Sequence, residues 1–240
     1  MVTTLHVKFP DAWPGWNIHE CTLTSAVYES DSQSSESDSG SSTDAELEVG
    51  TVTVDPKALS DYYSDTPVFR GNLQRPFCPY EKTTVVLKFA MRSDLISDLV
   101  EETEMYLGPL EPLQGSAVPR FYGLYTGTEN DQDIACLVLE YCGESITKRF
   151  SLLPMNLRVR ILEHLGEIHR QGFLHGDFAE RNVLHKNGEV RLIDFDRTIP
   201  DHHCRCDMNF HAGETTPERG GFGCDYLWDI ALHNMKIWKS

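Results

Sequence analysis

The sequence is short of positive charge: its 240 residues include 21 Lys and Arg against 37 Asp and Glu, which gives a formal net charge of −16. Nonspecific binding to nucleic acid or to an anionic membrane needs positive surface, so we expect neither as a partner. No apolar run is long enough to span a bilayer, and no continuous apolar stretch follows Met1 as it does in a secretory signal. The sequence therefore predicts an intracellular protein of the cytoplasm or the nucleus.

Paired cysteine motifs are also missing. The seven cysteines are odd in number and none stands in a C-x-x-C motif, which favours reduced thiols. Histidines and cysteines do gather in one region of the chain, at His202, His203, Cys204, Cys206, His211 and Cys224. Such side chains are zinc ligands, but a lone C-x-C spacing is a weak signal, so we predict loop and core residues here rather than a zinc site.

Apolar residues are scarce between residues 29 and 46, where Ser, Asp and Glu dominate. Such a segment cannot bury enough apolar surface to offset the entropy of ordering it, so we predict a disordered insertion. A solvated linker is the favoured interpretation, and a target for acid-directed phosphorylation is the alternative. The remaining length suits one large domain or two lobes.

The segment 84–90 is β-branched and apolar and contains one lysine, Lys88, which predicts a buried strand. A helical stripe follows at Leu95, Leu99, Glu102 and Tyr106. Because a carboxylate on a buried face needs a partner, we expect Glu102 to pair with Lys88.

Further elements follow from similar patterns. Residues 118–125 and 134–141 read as two strands, with residues 130–133 as the turn region between them. We expect Asn156 to cap the next helix and Gly172 to end it.

The segment from His175 to Asn182 reads H-G-D-F-A-E-R-N, and Asp194 begins the sequence D-F-D a dozen residues later. Asn187–Gly188 between them is a strong signal for a two-residue hairpin turn. Because an antiparallel hairpin returns its ends to one edge, we expect Asn182 and Asp194 side by side. Amide and carboxylate oxygens are suitable Mg²⁺ ligands, which predicts a metal site there.

The same segment offers an acceptor for a hydroxyl hydrogen. Asp177 would hydrogen-bond the attacking hydroxyl and orient it in line with a phosphate. Lys88 would neutralise the phosphates, with Glu102 holding it extended. Taken singly, each of these residues is more often an ordinary surface residue. Their order along the chain is what favours a phosphotransferase.

From about Val85 onward the chain resembles the protein-kinase-like superfamily, most of all divergent kinase-like proteins of fungi, and it is similar to choline and aminoglycoside phosphotransferases as well. The resemblance implies an α+β fold of two lobes that binds ATP in the cleft, with a small β-rich N-lobe and a truncated, mainly helical C-lobe. Residues 1–28 and 47–141 would form the N-lobe, and residues 142–240 the short C-lobe.

The resemblance also implies roles for particular residues. Lys88 matches the lysine of V-A-I-K and Glu102 the glutamate of the following helix. Asp177 would be the catalytic aspartate, and Asn182 and Asp194 the metal ligands. The hinge, whose backbone contacts adenine, would be Glu140, Tyr141 and Cys142.

Other positions match smaller parts of the pattern. Arg181 resembles the arginine of the tyrosine-kinase A-A-R-N and would supply charge at the site. Thr216–Pro217–Glu218 is similar to A-P-E, and Asp229 to the aspartate of the helix after it.

Departures from the family pattern leave three interpretations open. No G-x-G-x-x-G precedes Lys88, Gly176 stands where many kinases have arginine, and Asp196 replaces the glycine of D-F-G. The favoured prediction is an ATP- and Mg²⁺-dependent phosphotransferase acting on a hydroxyl of a protein Ser, Thr or Tyr. The alternatives are a pseudokinase that binds nucleotide or acts as a scaffold, and a kinase of small molecules.

Overall fold

A computed structural model describes residues 2–13, 18–26, 48–60, 65–76 and 78–239. The predicted disordered insertion at 29–46 lies outside the described residues. The chain divides into two compact units, the first comprising Met1–Thr103 with Phe121–Tyr141 and the second Glu104–Arg120 with Cys142–Ser240.

The first unit is built on a closed barrel in the order β1-β2-β6-β7-β5-β4-β3. Its strands are β1 (Thr4–Trp13), β2 (Ile18–Ser25), β3 (Val49–Ala58), β4 (Val68–Arg75), β5 (Cys78–Ala90), β6 (Phe121–Glu129) and β7 (Gln132–Glu140). The parallel pairing of β1 with β3 closes it, and every other neighbouring pair is antiparallel. The mixed content of helix and strand fits a kinase-like fold, whereas a closed seven-stranded barrel is not the usual N-lobe.

Side chains of alternate barrel residues fill its interior, as the period of a strand requires. Three phenylalanines from different strands meet there. The ring centroids of Phe9, Phe69 and Phe89 lie 5.8 to 6.0 Å apart. All three side chains are buried. This aromatic cluster ties β1, β4 and β5 together.

The predicted strand at 84–90 is confirmed as the second half of β5. The predicted helical stripe is also present, on α1 (Ser93–Leu107). Its members Leu99, Glu102 and Tyr106 are buried, whereas Leu95 is half-buried.

The two later strands are confirmed as β6 and β7 with small shifts of their bounds. The turn between them consists of two residues, Asn130 and Asp131, both with positive φ (51° and 61°). Asn and Asp tolerate this left-handed conformation better than most residues, which explains why the turn falls there.

The second unit carries α2 (Met155–Arg170), α3 (Asp225–Asp229) and a π-helical turn (Ile230–Met235). A sheet of order β10-β9-β8 is formed by β8 (Glu144–Ser145), β9 (Val183–Lys186) and β10 (Glu189–Leu192). Short 3-10 turns cover Glu111–Leu113, Phe150–Leu152, Glu180–Asn182 and Arg219–Gly221. Among the described residues, no helix combines the length and the apolarity needed to cross a membrane.

The prediction that Asn156 caps α2 is wrong. The helix begins at Met155, Pro154 is its N-cap residue, and no side chain caps it. The carbonyl of Pro154 accepts the first helical hydrogen bonds, from the N–H groups of Leu157 at 3.0 Å and Arg158 at 3.1 Å, so the helix begins ahead of the asparagine. The predicted end is confirmed: Gly172 follows the C-cap residue Gln171 and has a φ of +92°.

No disulfide links the described cysteines, which stand at positions 21, 136, 142, 204, 206 and 224. Five of them, Cys21, Cys136, Cys142, Cys206 and Cys224, are buried among other side chains.

We expect Phe89→Ala to lower the free energy of unfolding by about 3–5 kcal/mol, because the truncation leaves a cavity within the aromatic cluster. Tyr80→Ala on the same strand is the control, since Tyr80 is 98% exposed. It should change stability by less than about 0.5 kcal/mol. Urea unfolding followed by circular dichroism measures both. Equal stability of the two variants would contradict the assignment of Phe89 to the barrel core.

Candidate active site

The hairpin at the centre of the candidate site forms as the sequence predicts. Asn187 and Gly188 take positive φ values of 52° and 88° in the turn. The paired strands end at Val183 opposite Leu192. One further backbone hydrogen bond, from the N–H of Ile193 to the carbonyl of Asn182 at 3.1 Å, extends the ladder. Asn182 therefore lies opposite Ile193, and Asp194 is the next residue along the chain.

The side chain of Asn182 is buried and bound to Asp177. Its Nδ2 donates to the backbone oxygen of Asp177 at 2.8 Å and to the carboxylate Oδ2 at 3.2 Å. Since the amide nitrogen makes both contacts, the amide oxygen is the end of the side chain with acceptor capacity to offer a cation.

Asp177 is also held by Arg181, four residues further along the chain. Arg181 Nη2 contacts both carboxylate oxygens of Asp177, at 2.6 and 2.7 Å. The hydrogen bond from Arg181 is the main reason that the pKa of Asp177 is lowered. The carboxylate is therefore ionised at neutral pH, which is the state that accepts a hydrogen bond from a hydroxyl.

His175 fixes the start of this segment. Its Nε2 lies 3.0 Å from the backbone oxygen of Ile193, so the ring donates to the strand end that precedes Asp194. The ring is buried, 5.0 Å from that of Phe195 between centroids. Burial lowers the pKa of His175, which leaves the imidazole neutral. Sequence reasoning assigned His175 no role, although its place at the head of the H-x-D motif was visible.

Two backbone positions at the site have unusual conformations. Gly176 has a φ of +75°, and a Cβ atom there would overlap the carbonyl oxygen of Arg197. Only glycine fits this close approach. Asp194 has a φ of +72°. Non-glycine residues in this region are uncommon and cluster at functional sites.

The catalytic segment is held on its other side by a glutamate that sequence reasoning missed. Glu180 Oε1 accepts a hydrogen bond from the backbone N–H of Phe150 at 2.9 Å. Phe178 stacks on Phe150 with 5.0 Å between ring centroids. The sequence shows an acidic residue, Glu180, within the predicted catalytic loop. Its partner Phe150 could not be identified from the sequence, because it lies 30 residues upstream.

The ion pair expected in the first unit is present. Lys88 Nζ lies 2.9 Å from Glu102 Oε2, and the two side chains are 18% and 2% exposed. Lys88 comes from β5 and Glu102 from α1. The buried carboxylate on the helix thus has the cation that the sequence predicted for it.

The predicted hinge residues Glu140, Tyr141 and Cys142 lie at the end of β7 and just beyond it. Glu140 is its last residue, and the N–H of Tyr141 bonds to the oxygen of Thr84 at 3.4 Å. Tyr141 is the last residue of the first unit. Cys142, which is buried, is the first residue of the segment Cys142–Ser240 in the second unit. Their contact with adenine stays a prediction.

The segment that resembles A-P-E packs on α3. Trp228 Nε1 donates to the backbone oxygen of Pro217 at 3.0 Å. Arg219 lies over the Trp228 ring, 5.4 Å from its centroid, and its Nη2 is 2.6 Å from Asp229 Oδ2. The aspartate of this helix therefore holds an arginine next to the segment.

Each unit brings some of the predicted site residues into contact with one another. In the second unit, Asp177, Arg181 and Asn182 share hydrogen bonds, and Asp194 stands next to the residue paired with Asn182. In the first unit, Lys88 and Glu102 form the ion pair.

No family model matches the chain. Cell division control protein 7 of Schizosaccharomyces pombe is 30% identical over 168 residues, which is 64% of this chain and 15% of that protein. Pseudokinase OPG198 of vaccinia virus, strain Western Reserve, is 30% identical over 111 residues, 42% of this chain and 38% of the viral protein. The KEOPS complex subunit Bud32 of Pyrococcus abyssi is 32% identical over 72 residues, 28% of this chain and 33% of the subunit.

The chain thus spans well under half the length of each of these relatives. Together they support a protein-kinase-like superfamily for this sequence, which agrees with the resemblance in the catalytic segment. One of them is named a pseudokinase, so the relatives leave catalytic activity open.

We expect Lys88→Met to lower the free energy of unfolding by about 3 kcal/mol, because it leaves the Glu102 carboxylate buried without its cation. The double variant Lys88→Met with Glu102→Leu should recover most of the loss. Chemical denaturation of the single and double variants measures this coupling.

Arg92→Met is the matched control, since Arg92 pairs with Asp94 at an exposed site where both side chains are more than half exposed. It should cost less than about 1 kcal/mol. A Lys88→Met variant as stable as Arg92→Met would mean that the buried pair contributes nothing specific.

Proposed function

We propose that the chain is a divergent, fungal-type protein-kinase-like phosphotransferase that moves the γ-phosphate of ATP to a hydroxyl group, with Mg²⁺ as the required cation. The observation that carries this proposal is the geometry of the catalytic segment. An ionised Asp177, the amide oxygen of Asn182 that it orients, and Asp194 lie at the open end of one short hairpin.

The residues at the hairpin end fit a magnesium ion by their chemistry. Mg²⁺ takes hard oxygen ligands and is usually held by one or two protein groups together with phosphates. Asn182 uses its amide nitrogen on Asp177, so its oxygen is available for a cation. Asp194 adds a carboxylate held in a fixed backbone conformation. When bound, Mg²⁺ supplies neutralisation of charge on the phosphate oxygens.

Asp177 would act on the acceptor. Its carboxylate is kept ionised and oriented by Arg181, and each oxygen retains lone pairs for a further hydrogen bond. It would accept the hydrogen of the attacking hydroxyl as the oxygen–phosphorus bond forms and the bond to ADP breaks.

Lys88 would contact the phosphates from the first unit, with Glu102 fixing its position. By the same resemblance, we propose ATP contacts for Lys88 and for the hinge residues Glu140, Tyr141 and Cys142.

We expect ATP with Mg²⁺ to raise the melting temperature of the wild type, since a ligand that binds only the folded state stabilises it. Asp194→Asn should abolish the Mg²⁺-dependent part of the shift, because it removes the charged ligand while keeping a residue that tolerates positive φ. Asp201→Asn is the matched control, since Asp201 also has a positive φ, 63°, and is exposed. A shift unaltered in Asp194→Asn, or absent from the wild type, would overturn the magnesium site.

We expect Asp177→Asn to lower the turnover of ATP by about 10²–10⁴-fold while leaving nucleotide binding intact, because it removes the hydrogen acceptor alone. The measurement is transfer of labelled γ-phosphate to a panel of Ser, Thr and Tyr peptides and hydroxylated metabolites. Asp201→Asn should keep wild-type turnover. Equal rates for Asp177→Asn and wild type would refute the catalytic role.

A pseudokinase is the second candidate. Two observations favour it: a relative bears that name, and no glycine-rich loop precedes Lys88. A thermal shift with ATP, but no transfer to any acceptor of the panel, would decide for this candidate. Transfer to metabolites and to no peptide would decide for a small-molecule kinase, which the glycine at position 176 favours.

A further inference from the structure

Four potential metal ligands of the second unit converge beside the end of α2. They are His169, His202, Cys204 and Cys224, called here the His–Cys cluster. Their ligand atoms all lie within 4.8 Å of one another. His169 and Cys224 are buried, and the other two are half-buried.

The distances within the His–Cys cluster match those of a tetrahedral zinc site. Zinc–sulfur and zinc–nitrogen bonds of about 2.3 and 2.0–2.1 Å place a sulfur and a nitrogen about 3.5 Å apart at tetrahedral angles. Cys224 Sγ lies 3.6 Å from His169 Nδ1 and 3.5 Å from His202 Nε2. The two imidazole rings stand nearly perpendicular, 4.7 Å apart between centroids. Both nitrogens thus face the same sulfur at the separation that a shared cation requires.

Backbone hydrogen bonds beside the ligands hold the three contributing segments together. The N–H of His202 bonds to the carbonyl of Gly172, just past the end of α2 that carries His169, at 2.9 Å. The N–H of Arg205, next to Cys204, bonds to the carbonyl of Gly223, next to Cys224, at 2.9 Å. These two bonds hold the end of α2, the loop around Cys204 and the start of α3 next to one another.

We propose that the His–Cys cluster binds one Zn²⁺ as a structural site. Two thiolates and two imidazoles complete the tetrahedral shell of zinc, which is the mark of a structural rather than a catalytic site. The cation would join the end of α2 to the loop after Ile199 and to the start of α3.

This region has little regular structure of its own to stabilise it. Between residues 200 and 224 the described elements comprise only the 3-10 turn Arg219–Gly221. Few of its residues are buried, among them Cys206 and Phe210. Because a metal-binding free energy adds directly to folding free energy, one zinc ion would replace the packing that this loop lacks.

One of the buried ligands already has the protonation state that binds a metal, and the other must lose a proton on binding. Burial lowers the pKa of His169 to about 3, which leaves a neutral ring nitrogen to coordinate. Burial raises the pKa of the Cys224 thiol to about 12, and zinc displaces the proton from a coordinating thiol.

Neighbouring histidines and cysteines serve as controls because they stay outside the His–Cys cluster. His203 is exposed. Cys206 is buried and its sulfur accepts a hydrogen bond from the N–H of Met208 at 3.4 Å. The His–Cys cluster is therefore defined by how close the ligand atoms lie in space, and not by how close the residues lie along the chain.

The test is the zinc content of the full chain purified without chelator, measured by mass spectrometry. We expect one zinc per chain in the wild type and in His203→Ala, and close to none in Cys204→Ser and in His202→Ala. Chelation of the wild type with dipicolinate should lower its melting temperature, with little effect on Cys204→Ser. Wild-type chain without zinc, or with the same zinc content as Cys204→Ser, would overturn the proposal.

Cobalt distinguishes a specific site from adventitious zinc and guards against variants that fail to fold. Co²⁺ added to metal-free wild type should give the strong visible bands of tetrahedral coordination and a sulfur-to-metal band in the near ultraviolet. His202→Cys, which keeps four ligands, should retain the tetrahedral spectrum and intensify the sulfur band. Weak octahedral bands, or a Cys204–Cys224 disulfide revealed by thiol titration, would refute the zinc site.

Discussion

The candidate site depends on the backbone of Ile193 more than on any side chain. Its N–H binds the carbonyl of Asn182, and its carbonyl accepts a hydrogen bond from His175. These two bonds connect both ends of the catalytic segment to the strand that precedes Asp194. Because backbone atoms supply them, a substitution of the Ile193 side chain alone leaves them in place. Any change in the register of β9 and β10 would break both bonds together.

Each unit has one of two ion pairs, and the two pairs differ in how far they are exposed to water. Lys88 and Glu102 are mostly out of water, where a lone charge is costly, so each needs the other. Arg181 and Asp177 are more exposed, and their pairing orients a carboxylate more than it stabilises the fold. The first pair is fixed by its burial, whereas the carboxylate of the second can still accept a further hydrogen bond.

Local patterns predicted much of this arrangement. The hairpin followed from Asn187–Gly188, and the pairing of Glu102 followed from the period of a helix and the cost of a buried carboxylate. Prediction failed where the outcome depends on distant or competing groups. The α2 helix begins ahead of Asn156 because the Pro154 carbonyl already accepts the first helical hydrogen bonds, and closure of the barrel depends on strands far apart in sequence. Three members of the His–Cys cluster were weighed as zinc ligands and set aside because the C-x-C spacing is weak. The fourth, His169, lies on α2, far from the other three along the chain.

The parallel pairing of β1 with β3 has a consequence for protein engineering. Thr4 to Lys8 pair with Val49 to Thr53, so the chain from the end of β2 at Ser25 to the start of β3 at Val49 connects two strands already fixed in one barrel. The entropy of closing such a connection grows only with the logarithm of its length, about 0.6 kcal/mol for each doubling. A fluorescent reporter or an affinity tag inserted there would extend a connection whose ends the barrel holds in register.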